Sequence, residues 1–225
     1  MENCKTIHTE LLKALESVNE LKGKSHDEIK AKLDKIAEIL LTKTKIVRMP
    51  KAKELRSKEL RELELKEIEY YITDIEFYLY CKNHKDNITY KRKCEVAGEW
   101  YLHLSGVDIA FKSENIDFKQ ETKDKNIKWG IDDDSFFGGI LLRGIKAKDG
   151  KTLNGKYLDG HPILICYELF NKTNMYNLPI LEEDNSRSNL EIVPGKRIGV
   201  SKNSEFATKP YRYTLKESKQ CLVVA

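Results

Sequence analysis

The segment YITDIEFYLY, residues 71–80, is the stretch on which the fold prediction depends. Its side chains alternate with the period of two that is typical of a β-strand. One predicted face consists of Thr73, Ile75, Phe77 and Leu79. The other face consists of Asp74, Glu76, Tyr78 and Tyr80. The segment therefore predicts a strand with one mainly apolar face and one face of acids and tyrosines.

The chain before this strand predicts mainly helix. Residues 6–22 and 26–42 are expected to form two helices, and Ser25 with Glu28 makes a capping-box pattern at the start of the second. Ile29, Leu33 and Ile36 then recur at helical spacing. Residues 44–49 predict a short strand. The charged residues 51–67 fit either a helix or a hairpin arm that ends in a strand.

The chain after this strand predicts mainly β-structure. Residues 82–93 and 112–135 are interpreted as loops, 136–145 as a buried strand, 182–190 as an exposed loop, and 196–200 and 209–216 as strands. Residues 99–111 predict a hairpin that turns at Ser105 and Gly106. Residues 160–171 fit a short helix with Pro162 in its first turn. This order predicts a single α+β domain with a curved, mainly antiparallel sheet and surrounding helices.

The composition points to a soluble protein that acts in the cytoplasm. Charged residues make up 34% of the 225 residues, and no apolar run approaches the ~20 residues that span a bilayer. The first residues lack the apolar stretch of a signal peptide. Five scattered cysteines fit reduced thiols. The spacing of Cys81, His84 and Cys94 matches no compact zinc motif, so we expect no metal site.

The net charge of +4 is unevenly distributed. Residues 82–93 carry five basic residues against Asp86, a local charge of +4, and residues 195–219 carry a local charge of +5. Two such stretches could follow a phosphate backbone. Charge alone favours the simpler interpretation of two solvated faces.

Three groups of side chains are candidates for chemistry. Glu76 shares a strand face with Asp74 and Tyr78 and could act as a general base on water, although the segment alone favours a solvated outer face. Arg143 ends the apolar run GGILLRG and could pair with Glu76 or Asp74, or serve only a structural or surface role. His103 shares a hairpin face with Tyr101 and Ser105, which could stack on a base or form the wet side of the hairpin.

In their order along the chain, these segments resemble the alkyladenine (3-methyladenine) DNA glycosylase family. The most specific similarity is GKRIGVSKNSEFATKPYRY (195–213), which resembles the family's R-I-G-x-x-x-x-x-E-W-x-x-K-P-x-R-F ending. The other similar segments are KIAEILLTKTKIV (35–47), YYITDIEFYL (70–79), NHKDNITYKRK (83–93), GEWYLHLSGVDIAF (98–111), GGILLRGI (138–145) and DGHPILICYELF (159–170). The resemblance implies an N-terminal helical extension over 1–32 and a glycosylase-like domain over 33–225.

The resemblance also implies roles for individual residues. Glu76 corresponds to the family's water-activating glutamate, and Arg143 to the arginine beside it. Tyr78, His84 and His103 correspond to residues that contact the flipped base. The residues expected to contact DNA are Lys85, Lys91, Arg92, Lys93, Ser105, Arg197 and Lys209. The implied enzyme is a monomeric, monofunctional glycosylase of base excision repair, which needs no cofactor and has no membrane partner.

Two residues depart from the family pattern. Ser105 stands where the family has a bulky tyrosine that fills the gap left by the flipped nucleotide, and Lys112 or a near neighbour replaces an asparagine on the pocket floor. Two alternatives therefore stand beside the repair enzyme. One is a non-catalytic nucleic-acid-binding relative, and the other is a hydrolase that acts on a nucleoside or an RNA base.

Overall fold

The central element of the structure is a pair of long antiparallel strands, β2 (Ile68–Cys81) and β7 (Ile127–Ala147). The computed structural model describes residues 8–49, 67–120, 127–148, 158–171, 178–200 and 204–216. The predicted helix or hairpin arm at 51–67 lies outside these ranges except for its last residue. The predicted alternation in β2 is confirmed, because Ile75, Phe77 and Leu79 are all buried in the core.

Two helices cover the apolar face of β2. Helix α1 (Thr9–Glu16) continues as a 3₁₀ turn (Ser17–Leu21), and α2 (His26–Thr42) follows. The predicted capping box is confirmed: Ser25 accepts from the backbone N–H of Glu28, and the Glu28 carboxylate accepts from the backbone N–H of Ser25. These bonds satisfy two backbone donors that would otherwise lack partners at the helix start.

The N-terminal helices share their core with the sheet. Leu11, Leu15 and Ile29 belong to the same hydrophobic cluster as Ile75 and Phe77. The predicted boundary between residues 32 and 33 falls inside α2. The helices therefore support β2 from the side opposite to Glu76. No helix among the described residues is long and apolar enough to cross a membrane.

The shorter elements extend the sheet on both sides of β2 and β7. The strands are β1 (Thr44–Arg48), β3 (His84–Lys85), β4 (Trp100–His103), β5 (Gly106–Ala110), β6 (Glu114–Gln120), β8 (Leu158–Asp159), β9 (Ile180–Glu183), β10 (Ile192–Gly195) and β11 (Arg212–Leu215). The main strand order is β10-β11-β2-β7-β5-β4, and β1 pairs with β2 and β9. Helix α3 (Pro162–Cys166) is followed by a π-helical turn, Tyr167–Asn171. The α+β class with an open, curved, mostly antiparallel sheet is confirmed.

The loop predicted over residues 112–135 is wrong. Strand β6 pairs with the first part of β7, so that Ile116 stands opposite Ile131 and Phe118 opposite Trp129. Charged residues lie between these apolar positions, so the alternation with a period of two that is typical of a strand was not recognised in the sequence. Strand β7 consequently begins well before the predicted start at residue 136.

The segments near the C-terminus also differ from the prediction. Residues 196–200 form no strand; β10 ends at Gly195, because the next backbone and side-chain donors bind acids of the sheet and the loop. The predicted exposed loop at 182–190 contains the end of β9 and a 3₁₀ turn, Asn185–Arg187. Arg187 is buried there, since it donates to the carbonyls of Ile72 and Thr44.

Candidate active site

A row of cross-strand neighbours crosses one face of the sheet. Arg212 on β11 stands opposite Glu76 on β2, and Glu76 opposite Leu141 on β7. Leu141 stands opposite Asp108 on β5, and Asp108 opposite Tyr101 on β4. Directly opposed residues of antiparallel strands point to the same side of the sheet. The register therefore places two carboxylates, Glu76 and Asp108, on one face with Leu141 between them.

The Glu76 carboxylate is buried and accepts from three donors. The Tyr78 hydroxyl and Nη1 of Arg143 lie 2.9 Å and 3.3 Å from Oε2. The backbone N–H of Ile198 donates to Oε1 over 2.6 Å. Arg143, which the sequence could assign to Glu76, to Asp74 or to the surface, thus pairs with Glu76. The predicted glutamate, tyrosine and arginine come together at one point.

The solvated outer face that residues 71–80 alone favoured is wrong. Asp74 and Glu76 are both 0% exposed. Arg212 holds Asp74 through Nε, at 3.0 Å and 3.1 Å from the two carboxylate oxygens, and through Nη2 at 2.6 Å. A buried carboxylate needs such partners, because the loss of water around an unpaired charge costs several kcal/mol.

Burial controls the protonation of the Glu76 carboxyl group. Burial raises the pKa of Glu76, and this effect exceeds the opposing effects of the Ile198 N–H, the Arg143 charge and the Tyr78 hydroxyl. Burial and the charge of Glu76 also raise the pKa of Tyr78, so its hydroxyl remains a donor. A carboxylate with a raised pKa is a stronger base toward water than an ordinary one.

We expect this raised pKa to appear in the pH dependence of stability. The ordinary pKa of 4.5 applies to the unfolded chain, which therefore releases the Glu76 proton first as the pH rises. The stabilisation linked to this proton is complete below pH 4.5 and is lost as the pH rises through the folded-state pKa. Urea denaturation from about pH 4 to about pH 7 measures it, with Glu76→Gln as the non-titrating reference. Parallel pH profiles for the two proteins would contradict the raised pKa.

Tyr78 connects Glu76 to a cavity of about 240 Å³. This volume is several times the ~30 Å³ that a water molecule occupies in the liquid. The chemistry-bearing side chains of its wall are Tyr78, Tyr90, Arg92, His103, Ser105 and Asp108. Gly199 and Val200 also line it. Glu76 and Arg143 are not in the wall, so within the group of Glu76, Tyr78 and Arg143 it is Tyr78 that lines the cavity.

A second buried ion pair lies in the cavity wall. Nη2 of Arg92 donates to Oδ2 of Asp108 over 2.5 Å, and Nε2 of His103 lies 3.0 Å from Oδ1. The backbone N–H of Ser105 donates to Nδ1 of His103, so the ring proton is on Nε2 and points to Asp108. His103 is thus oriented with its ring 5.0 Å from that of Tyr90. The hairpin face that the sequence could assign to its wet side contributes to the cavity.

His84 does not join this site, contrary to the role implied for it. It is fully buried, with Nδ1 donating to the Leu79 carbonyl and Nε2 accepting from the Tyr211 hydroxyl. Its ring packs 4.4 Å from that of Phe206. Burial lowers the pKa of His84, which keeps the ring neutral. The β2–β3 turn directs this side chain into the core, where it is an ordinary hydrogen-bonded histidine.

The residues predicted to contact DNA fall into two groups. Arg92 and Arg197 are buried, and Arg197 donates to Asp86 over 2.6 Å, so neither is placed for the surface phosphate contact that was predicted. A guanidinium inside the protein requires a carboxylate partner, which is Asp108 on β5 for Arg92 and Asp86 in the 82–93 loop for Arg197. Lys85 and Lys93 are exposed and pair with Asp133 and Asp117. Lys91 and Ser105 are exposed, and Lys209 is half-buried.

Two residues of the site were missed by sequence reasoning. Asp108 carried a signal, because a carboxylate between Val107 and Ile109 in an apolar strand must find a partner. Tyr90 carried none, since a tyrosine in a polar loop is usually a surface residue. Among the described residues, no three His, Cys, Asp or Glu side chains form a group that could hold a metal ion.

No protein-family model matches this chain, and no curated protein is detectably similar to it. The functional argument therefore depends on the geometry of the residues above and on the motifs in the sequence.

Proposed function

We propose that this protein is a divergent member of the alkyladenine DNA glycosylase family, which hydrolyses the N-glycosidic bond of an alkylated purine extruded from DNA. The observation that carries the proposal is the contact of Glu76 with both Tyr78 and Arg143 next to an aromatic-walled cavity. A base that acts inside a duplex must be rotated out of the stack into such a cavity before its glycosidic carbon can be attacked.

Glu76 is the proposed general base. An ionised carboxylate has about four acceptor sites. Tyr78 and Arg143 occupy Oε2, and Ile198 occupies one site on Oε1, which leaves one site on Oε1 for a water proton. Arg143 holds the carboxylate in place, and its charge stabilises the ionised form. Water so activated would attack a sugar carbon that develops oxocarbenium character.

The aromatic side chains are the proposed contacts to the extruded base. Tyr78, Tyr90 and His103 line the cavity, and bases stack on such rings with about 1–3 kcal/mol each. The fixed orientation of His103 suits this role, because its two ring nitrogens contact Ser105 and Asp108. Tyr90 is the proposed residue for the base contact that the resemblance implied for His84.

Leu104 is the proposed residue that enters the duplex. Ser105 is too small to fill the gap left by a rotated nucleotide, but its neighbour Leu104 is 88% exposed at the tip of the β4–β5 hairpin. Proteins that kink DNA commonly insert leucine or another apolar side chain between base steps. The hairpin tip stands beside the cavity, as that function requires, since Ser105 lines its wall.

A second function, non-catalytic binding of nucleic acid, is favoured by one observation. Glu76 is 0% exposed and lies outside the cavity wall, and its carboxylate accepts from Ile198 and Tyr78. A water must therefore pass between these groups to reach Oε1. A protein that kept the surface but not the reaction would need no such path.

The wild-type protein should release methylated purines from DNA in a single-turnover assay. We expect faster release from mismatched or single-stranded oligonucleotides than from a paired duplex, because unstacking a paired base costs a few kcal/mol. Leu104 offers less surface than an aromatic wedge to offset that cost. A protein inert in every context would identify the non-catalytic binder as the better interpretation.

Duplex binding should weaken steeply with salt. Lys91 and Lys93 are exposed in the 82–93 loop, next to the cavity residues Tyr90 and Arg92. The ion pair of Lys93 with Asp117 is exposed, so a DNA phosphate can replace Asp117 as the partner of Lys93. We expect Lys91→Ala and Lys93→Ala each to lower the slope of log K against log salt by about one. Lys35→Ala, on the helix covering the opposite face, is the matched control and should leave the slope unchanged. Binding that ignores salt would contradict any function on nucleic acid.

A further inference from the structure

Arg197 carries a buried charge next to the residues that surround Glu76. It belongs to a basic stretch of the sequence, but its side chain is 0% exposed and pairs with Asp86. A buried ion pair is often no more stabilising than an apolar pair of similar size, because both charges lose their water. Stability alone is therefore a weak reason for this pair, and the other contacts of Arg197 indicate what else it does.

The guanidinium of Arg197 joins three segments of the chain. Nη1 donates to Oδ2 of Asp86 over 2.6 Å and to the Phe77 carbonyl over 3.2 Å. Nη2 donates to the Phe206 carbonyl over 3.3 Å. These acceptors belong to a loop, to strand β2 and to a 3₁₀ turn. A planar guanidinium can hold all three at once, because its N–H donors point in fixed directions.

Two of the three donors to the Glu76 carboxylate are adjacent to this guanidinium. Its carbon atom lies 4.6 Å from the centre of the Tyr78 ring, and the Tyr78 hydroxyl donates to Oε2 of Glu76. The backbone N–H that donates to Oε1 over 2.6 Å belongs to Ile198, the next residue along the chain. Phe77, whose carbonyl the guanidinium binds, stands between Glu76 and Tyr78 in β2. The guanidinium thus restrains both donors and the backbone that carries their acceptor.

We propose that Arg197 is a positioning residue, which holds two of the hydrogen-bond donors of Glu76 in place. Its part in catalysis rests on the proposed function, whereas its effect on the carboxylate does not. A reacting group must be held within about 0.5 Å of its productive geometry, which a rigid guanidinium anchor can ensure. Arg143 supplies the third donor from β7.

The pKa of Glu76 in the folded protein tests this role without any reaction. The Ile198 N–H and the Tyr78 hydroxyl both lower that pKa, so a loosened contact should raise it. Arg197→Lys keeps the positive charge but replaces the planar group by a single nitrogen. We expect the pKa of Glu76 to be higher in this variant than in the wild type, and an unchanged pKa overturns the proposal. Carbon-13 NMR of labelled glutamate measures it, and the Glu76→Gln spectrum identifies the signal.

Arg48→Lys is the matched control for this substitution. Arg48 is also buried, but it lies on β1, where it binds Glu168 over 3.0 Å and the Tyr70 hydroxyl. The same change there should lower stability without moving the pKa of Glu76. An equal rise in both variants would show a general loosening of the fold and overturns the proposal.

Asp86→Asn decides the question if Arg197→Lys does not fold. Asparagine keeps the size of aspartate but holds Nη1 more weakly, since the partner is no longer charged. Loss of a negative charge by itself lowers the pKa of a neighbouring carboxyl group. A rise in the pKa of Glu76 therefore reports the loosened contacts, and a fall or no change overturns the proposal.

The release of methylated purines gives a separate readout. We expect Arg197→Lys to slow single-turnover release by about 10-fold, the effect of one hydrogen bond to a charged group, without weakening duplex binding. A wild type that releases nothing, together with a raised pKa of Glu76 in the variant, supports the role of Arg197 and contradicts glycosylase activity. An active wild type whose variant has an unchanged pKa of Glu76 contradicts the role of Arg197 alone.

Discussion

Glu76→Gln should abolish the release of methylated purines while DNA affinity stays nearly unchanged. Glutamine has the size of glutamate, and its oxygen can still accept from Tyr78 and Arg143, but it cannot take a proton from water. General-base assistance typically contributes 10²–10⁴-fold, so we expect a loss of roughly that size in a single-turnover assay. Duplex affinity, measured in parallel by fluorescence anisotropy, should not decrease, because Glu76 is buried behind the cavity wall.

Glu99→Gln is the matched control for this experiment. Glu99 is exposed beside the β4–β5 hairpin, so the same chemical change there should leave release unaffected. A Glu76→Gln protein as active as the wild type would mean that another group activates the water. Thermal unfolding of both variants shows whether loss of the Ile198 contact alone disturbs the fold.

Asp108→Ala should destabilise the protein by about 3–5 kcal/mol. The variant leaves the buried guanidinium of Arg92 without its carboxylate and removes the acceptor of His103. Breaking a buried pair from one side is much more costly than breaking an exposed one, because the remaining charge has no access to water. Urea denaturation at neutral pH measures the loss.

The chain contains a close control for this second prediction. Asp117 also pairs with a basic residue of the same loop, but Asp117 and Lys93 have side chains 75% and 42% exposed. Asp117→Ala should therefore cost no more than about 1 kcal/mol. Similar small losses in both variants would show that Arg92 reaches solvent when its partner is removed, and its burial would then not constrain the cavity.

Local patterns in the sequence predicted several elements correctly. The capping box of Ser25 and Glu28 located the start of α2, and the alternation in residues 71–80 assigned the two faces of β2. The β4–β5 hairpin followed from its turn residues. These features depend on neighbours within a few positions, so the chain itself contains the information. The period of two in β6 was present as well but was obscured by charged residues.

The pairing of charges could not be predicted from local patterns. Glu76 and Arg143 are 67 residues apart, and Arg197 and Asp86 are 111 residues apart. The first pair forms because the sheet order places β2 next to β7. The second pair forms because the segment after β10 packs against the loop at 82–93. From sequence alone, Arg92 and Arg197 are indistinguishable from surface residues of basic stretches.

The sequence by itself determined the α+β class and the faces of β2, and the resemblance of its motifs made Glu76, Tyr78 and Arg143 candidates for one site. The tertiary structure alone decided that Glu76 is buried, that His84 belongs to the core, and that Arg92 joins Asp108 in the wall of a cavity. The physical reason is that burial and ion pairing depend on cross-strand register and on loops that cover the sheet. Those are relations between distant segments, and they determine whether a charged side chain meets water, a carboxylate or a ligand.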